Sequence, residues 1–276
     1  MQDRPEFTLV TVCLNSEKTI RTTIESVLSQ TFRDYEYIIK DGGSSDGTLG
    51  IAEKYVEAFG GRLRVISEKD GGIYEAMNQG VAAASGKMIG IINSDDYYSP
   101  DTLEKVYEVC GKNADTDLLV VIGDMERVTA DGEVIYRYRF DDSMVERKEC
   151  FGHPSMFAAK AVYDRIGLYD TTYKLAADGD WQFRAMEDEQ VRVVLCPHVL
   201  NHMREGGASD LRKYRWKWFS ERSRMRLAHS KGSAAKIYGT ELKKVIVCDV
   251  KSLLPEKAKG RLYRYRYRKN TKRRGE

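Results

Sequence analysis

Long apolar runs are missing from this chain of 276 residues. No stretch approaches the roughly 18–20 apolar residues that a membrane-crossing helix needs. The apolar segment 8–14 is short and has no basic leader, so a signal peptide is not expected either. Cysteine is sparse and patternless: Cys13, Cys110, Cys150, Cys196 and Cys248 are odd in number, scattered, and form no C-x-x-C pair. That argues against a disulfide framework or a zinc site and for a reducing compartment. Two phosphate-binding signatures are absent as well. Without G-x-G-x-x-G after the first strand a dinucleotide-binding domain is disfavoured, and without G-x-x-x-x-G-K-[ST] a P-loop ATPase is excluded. No internal repeat is visible.

What is present is 42% hydrophobic and 32% charged, the second figure on the high side, in a length that allows one large α/β domain with an appendage. The net charge of +3 hides an asymmetry. Residues 211–276 hold 22 Lys and Arg against 5 Asp and Glu, a charge of +17, and the preceding 210 residues carry −14. A basic end on an acidic body suggests that the end meets something anionic.

Along the chain, Phe7 to Leu14 reads as a central strand, and Ser16 is placed to cap a helix with Ile20, Ile24, Val27 and Leu28 on one face. Tyr35 to Lys40 is a second strand, followed by the loop Asp41 to Thr48 and a helix through Leu49, Ala52, Tyr55, Val56 and Phe59. Leu63 to Ser67 is a third strand, and Ile73, Met77 and Val81 mark the next helix. Met88 to Ile92 is a buried strand that turns abruptly into Asn93-Ser94-Asp95-Asp96, after which Ser99-Pro100 reads as a helix start. Strand and helix thus alternate four times in about 110 residues, the pattern of a parallel, doubly wound sheet. Beyond residue 115 the alternation breaks. Leu118 to Ile122, Glu133 to Phe140 and Val191 to Cys196 read as strands, Lys160 to Ile166 and the segment from Ala176-Ala177-Asp178-Gly179-Asp180-Trp181 as helices, and 201–209 as a polar loop. Helical pattern resumes from 211 to about Leu254.

Two adjacent carboxylates where a buried strand opens into a loop repel unless a cation or donor lies between them. Hard oxygen ligands suit Mg²⁺ or Mn²⁺, which hold phosphate oxygens in turn. A solvated turn is the plain alternative for Asp95 and Asp96. Asp41, just after the second strand, can accept from a ribose hydroxyl or a base N–H, or simply organise a capping loop.

With these residues in place the chain resembles a family 2 glycosyltransferase of the GT-A fold, from the bacterial branch that builds exopolysaccharide, capsule or lipopolysaccharide. The resemblance spans about residues 7–210. It rests on the first strand ending at Asn15, on Asp41 to Thr48, on Gly72-Ile73-Tyr74-Glu75-Ala76-Met77-Asn78-Gln79-Gly80, on Asn93-Ser94-Asp95-Asp96 and on Ala177-Asp178-Gly179-Asp180. It implies a mostly parallel central sheet with helices on both faces over 1–210, and a basic helical extension over 211–276. It also implies that Leu14 and Asn15 line the nucleotide and that Asp41 holds the base. Asn93-Ser94-Asp95 falls on the D-x-D motif, with Asp95 as ligand to Mn²⁺ or Mg²⁺ and Asn93 in place of the first Asp. Asp178 falls on the last residue of the Glu-Asp motif as general base, with Ala177 in place of the Glu and Asp180 able to substitute. His202 and Arg204 fall in a loop that contacts the diphosphate, His202 also as a metal ligand. His153, Asp96 and Trp181 are supporting or acceptor-side residues, and packing is the leading role for Trp181.

The implied activity is inverting transfer of a hexosyl group from a nucleotide diphosphate sugar of the UDP type to a saccharide on a polyprenyl diphosphate, in cell-surface polysaccharide synthesis. A sugar nucleotidyltransferase and a non-catalytic nucleotide-sugar-binding protein are the alternatives. Trp216, Trp218 and Phe219 interleave with Lys and Arg, which suits an anionic membrane surface. Nucleic-acid binding fits the charge but nothing else in the chain, so none is expected. The resulting expectation is a cytoplasmic protein at the inner face of the cytoplasmic membrane.

Overall fold

The computed structural model describes residues 4–206, 214–229 and 232–252. The loop with Gly207, Ala208 and Ser209 and the basic run 261–274 lie outside the described residues. The chain divides into two compact units, Met1–Met125 with Arg139–Met203, and Glu126–Tyr138 with Arg204–Glu276.

The first unit is built on four parallel strands: β1 (Phe7–Cys13), β2 (Tyr35–Asp41), β3 (Leu63–Ser67) and β4 (Met88–Asn93), in spatial order β3-β2-β1-β4. Every residue of β1 is buried, as a parallel strand covered on both faces requires. The crossovers are α1 (Ile20–Leu28), α2 (Thr48–Glu53) and α3 (Ile73–Ala83). Helix α1 buries Ile20, Ile24 and Val27 completely, the face its apolar spacing anticipates. Helix α3 packs on β1 and β2. Gly80 sets that approach: a Cβ there would stand 2.4 Å from Val10 Cγ1, on a β-branched side chain that cannot turn aside.

The chain continues through β5 (Tyr97–Tyr98), α4 (Thr102–Lys112), β6 (Leu119–Val128), β7 (Val134–Tyr138), α5 (Asp142–Glu146), a 3₁₀ turn at His153–Ser155, β8 (Met156–Ala159), α6 (Lys160–Ile166), α7 (Ala177–Glu187) and β9 (Arg192–Arg204). The sheet runs on from β4 as β8-β6-β9-β5, antiparallel where β8 meets β4 and β6 and where β5 meets β9.

Four local expectations change. The helix expected from Ser99-Pro100 begins at Thr102, because Ser99 Oγ donates to Val199 O and Tyr97-Tyr98 pair with β9 instead of forming loop. Ser16 does not cap α1 with its side chain; its backbone carbonyl takes the Thr19 and Ile20 amides. Helix α2 stops at Glu53, and the Tyr55 and Val56 amides bond only three residues back, in tighter turns that still bury Phe59 against Tyr37. The strand expected to end at Cys196-Pro197 runs on to Arg204, so His202 and Arg204 stand on β9 and not in a loop. Sheet pairing overrides the usual stop at Pro197.

In the second unit Arg137 grips Glu126 through Nε at 2.9 Å and Nη2 at 2.6 Å. Helices α8 (Arg215–His229) and α9 (Ala234–Ser252) pack together. Glu241, fully buried, accepts from Lys244 at 2.7 Å and Arg222 at 3.1 Å, with Arg226 at 3.5 Å. Burial pushes this carboxyl up, but Lys244 and Arg222 outweigh it and hold it below the usual range. Tyr238, Leu242 and Ile246, one helical turn apart along α9, remain exposed, as does Trp216 on α8.

Candidate active site

Strands β1, β2 and β4 end together. Cys13 lies beside Asp41 and Val12 beside Asn93, so Asp41 and Asn93 flank β1 at the carboxyl edge of the sheet. Two strand spacings put them about 10 Å apart. In open α/β sheets this edge is where ligands bind.

Between them runs the turn after β1. Leu14 is exposed, and Asn15 takes φ +52°, a left-handed conformation that Asn tolerates better than most residues. The Asn15 amide donates to Ser44 Oγ at 2.8 Å, and its Oδ1 accepts from the Ser45 amide at 2.9 Å. The Ser16 amide donates to Thr48 Oγ1 at 2.7 Å, while Ser16 Oγ lies 2.8 Å from Ser94 Oγ. The turn is thereby laced to the loops that follow both neighbouring strands.

Asp41 is buried, and its oxygens are in use. They accept from the Gly43 amide at 3.1 Å, the Ser44 amide at 3.0 Å, Ser67 Oγ at 2.7 Å and Ser44 Oγ. Burial pushes the carboxyl up; Ser44, Ser67 and Gly43 together outweigh it and hold the group below the usual carboxylate range. Beneath it Lys40, fully buried, donates to the Asp41 and Glu68 carbonyls and pairs with Asp70 at 3.5 Å. Asp70 in turn accepts from the Gly72 amide at 3.0 Å, just before α3.

The carboxylates after β4 differ. Asp96 is buried, with its carbonyl held by Thr23 Oγ1 at 2.6 Å and its side chain by Asn93 Nδ2 at 3.3 Å. Asp95 is half-buried. Asn93 Oδ1 is buried and accepts no hydrogen bond from the described residues. His202 pairs across β5–β9 with Tyr97, stacks on its ring at 4.7 Å, and sets Nε2 3.0 Å from Ser99 Oγ. Among the described residues no group of three or more His, Cys, Asp and Glu could hold a metal unaided. The carboxylate of Asp95 and the side-chain carbonyl of Asn93 are hard oxygen donors that fit Mg²⁺ or Mn²⁺, ions that commonly take one or two side chains and complete their shell with substrate phosphates and water. Arg204 ends β9 and belongs to the second unit.

Asp178 stands half-buried in the first turn of α7. Tyr74 OH donates to its Oδ1 at 2.9 Å. His153, buried in the 3₁₀ turn, lies with Nε2 2.9 Å from Tyr169 OH; burial holds its imidazole below the ordinary range against an opposing pull from Asp178. Asp180 is buried and pairs with Arg184 at 3.0 Å, whose fork also donates to the Ile166 and Leu168 carbonyls. Trp181 is fully buried, packs its ring 4.5 Å from that of Tyr163 at a tilt of 32° and donates to Gly167 O at 2.9 Å, which makes it a core residue.

The structure therefore joins Leu14, Asn15, Asp41, Asn93, Ser94 and Asp95 along one edge. Through Lys40, Asp70 and Gly72 that edge connects to the start of α3, and through Tyr74 to Asp178. Sequence reasoning missed three members. Lys40 is a lone cation closing an apolar strand, Ser16 reads locally as a helix cap, and Tyr74 lies inside a motif whose resemblance implies no role for it.

Comparison with known proteins identifies the family and the fold. The family model described as Glycosyl transferase family 2 matches residues 8–167, and the chain belongs to that family. A PGL/p-HBAD biosynthesis glycosyltransferase of Mycobacterium bovis is 31% identical over 185 residues, covering 67% of this chain and 71% of the relative. Among solved structures, residues 1–349 of S. aureus TarS in complex with UDP-GlcNAc superpose with a TM-score of 0.62 at 17% identity, over 84% of this chain and 69% of that one. The mannosyltransferase PcManGT of Pyrobaculum calidifontis, in complex with GDP-Man and Mn²⁺, gives 0.60 at 15% identity, over 90% and 70%. The fold is GT-A, and the chain is a glycosyltransferase.

Because Asp41 is held ionised in the folded chain, it contributes stability above its unfolded value of about 3.9, lost as pH falls through its lower folded value. Asp41→Asn leaves its donors with a weaker acceptor and should cost about 1.5–3 kcal/mol at pH 7. Urea unfolding at pH 7 and pH 3 checks this: the gap between wild type and variant should narrow at the lower pH. Equal stabilities at pH 7 would contradict the assignment.

Proposed function

We propose that this glycosyltransferase is metal-dependent and inverting, and that it moves a hexosyl group from a UDP-sugar to a saccharide acceptor on a polyprenyl diphosphate during cell-surface polysaccharide assembly. The observation that carries the proposal is the common sheet edge. Asp41 and the Asn93–Asp95 turn flank β1, and Asp178 is tied to the same edge through α3. The spacing of Asp41 and Asn93 is about that between the base and the diphosphate of one nucleotide.

Leu14, Asn15, Asp41, Asn93, Ser94 and Asp95 take the nucleotide in this scheme. Asp41 receives the uracil N–H when a hydroxyl donor, Ser44 or Ser67, rotates away. Mn²⁺ or Mg²⁺ would be held by Asp95 and the Asn93 carbonyl, and when bound supplies charge neutralisation for the leaving diphosphate. His202 joins that set only by giving up Ser99. Asp178 takes the proton from the acceptor hydroxyl. The acceptor oxygen bonds to the anomeric carbon from the face opposite the diphosphate, the carbon–oxygen bond to diphosphate breaks, and the electron pair leaves with UDP. An α-linked donor thus gives a β-linked product.

We further propose that the extension over 211–276 brings the enzyme to anionic lipid at the inner face of the cytoplasmic membrane. Its charge of +17 and the exposed Trp216, Tyr238, Leu242 and Ile246 support this.

Transfer of UDP-sugars to p-nitrophenyl glycosides, with binding followed by calorimetry, tests the chemistry. Asp178→Asn should abolish transfer and keep UDP affinity within about twofold, whereas Asp95→Ala should lose the Mn²⁺-dependent part of UDP binding. An active Asp178→Asn enzyme, or unchanged Mn²⁺-dependent binding in Asp95→Ala, would contradict these roles. For the membrane, sedimentation of the full chain with phosphatidylglycerol vesicles should exceed that with phosphatidylcholine, fall with salt, and fall in Leu242→Glu/Ile246→Glu. Equal sedimentation with both lipids would refute lipid docking.

A further inference from the structure

A carboxylate that removes a proton must hold one oxygen about 2.6–3.2 Å from the acceptor hydroxyl. The side chain of Asp is short, but its terminal torsion is broad, so position alone does not aim it. Asp178 is half-buried and its aim needs an external constraint. Tyr74 provides one: its hydroxyl donates to Oδ1 at 2.9 Å, leaving Oδ2 as the oxygen for the acceptor.

Tyr74 is itself well fixed. It sits in the first turn of α3 and is 7% exposed. Its ring lies 5.9 Å from that of Tyr169. Asn78, four residues on and on the same helix face, clamps the Tyr169 backbone, donating to its carbonyl and accepting from its amide, both at 2.9 Å. One face of α3 thus fixes both the segment leading into α7 and the carboxylate at the start of α7. Because α3 is seated on β1 and β2, the aim of Asp178 is referred to the sheet that carries the other site residues. Titratable groups that interact with Asp178 include Tyr74 from α3, His153 from the 3₁₀ turn and Tyr169 from the segment after α6, and Cys150 Sγ lies 3.9 Å from the neighbouring Gly179 carbonyl; Asp180, on its own helix, is turned to Arg184.

We propose that Tyr74 is the positioning residue of the reaction, orienting Asp178. The proposal rests on Asp178 being the base. It assigns a task to a residue of the Gly72–Gly80 motif that nucleotide and metal binding leave without one.

Tyr74→Phe keeps the ring against Tyr169 and removes the hydroxyl that donates to Asp178. Loss of a hydrogen bond to a charged group should lower kcat about ten- to a hundredfold, with KM for the UDP-sugar within about twofold. The carboxylate also loses a group that favours its charged form, so the acidic limb of the kcat profile should move to higher pH. A substrate-free readout accompanies this: the ¹³C carboxyl titration of Asp178, assigned by the signal missing in Asp178→Asn, should have a higher midpoint in Tyr74→Phe. A purely structural Tyr74 would lower the melting temperature and leave limb and midpoint in place, which would overturn the proposal. If Asp178→Asn is inactive while Tyr74→Phe matches wild type, the positioning role alone fails. If Asp178→Asn is active, the base assignment fails and the proposal with it.

Discussion

Strands buried on both faces offer a site in one place only, the edge where the chain leaves them. In this protein β1, β2 and β4 are covered nearly throughout, so their polar ends must be satisfied in the loops at that edge. The loops do so with side chains rather than regular structure. Asp41 gathers the Gly43 and Ser44 amides, Asn15 gathers Ser45, and Ser16 reaches both Thr48 and Ser94. The rigidity of the site is a consequence of that accounting: each bond that keeps a buried polar group from being orphaned also fixes a residue facing the edge.

Burial sorts the carboxylates of the first unit into two kinds. Asp41, Asp96 and Asp180 are buried and already engaged with donors from the chain, and removing such a group strands its partners. Asp95 and Asp178 are half-buried, and each follows directly on the residue that opens a turn or a helix at the edge. A chemical role needs a carboxylate that substrate can reach, and partial exposure gives the second kind that access, Asp178 while also accepting from Tyr74. The same distinction separates Asp178 from Asp180, two residues apart on one helix, where sequence alone left either able to serve.

Much of the fold was legible because its parallel half announces itself by alternation. The third strand, Leu63 to Ser67, has the extent its residues indicate, and the first four strands and three crossovers all occur. Legibility failed where pairing between distant segments decides the outcome. Tyr97-Tyr98 forms a strand only because β9 lies alongside, and β9 passes through Pro197 for the reciprocal reason. Local propensity contains neither fact. In the site, the residues with unusual chemistry were visible as candidates, whereas those that aim them were not. Tyr74 and Asp178 are 104 positions apart, and no periodicity links a helix start to a helix start across that interval.

Family membership makes the chain a glycosyltransferase; the common edge is what turns the separate carboxylates into a scheme. The most direct test of that edge is a crystal structure with UDP and Mn²⁺ bound. The account predicts the uracil against Asp41, the diphosphate and cation at Asn93 and Asp95, and an open path from the β-phosphate to Asp178. A nucleotide bound away from the β1–β4 edge, or a diphosphate on the far side of the sheet from Asp178, would contradict it.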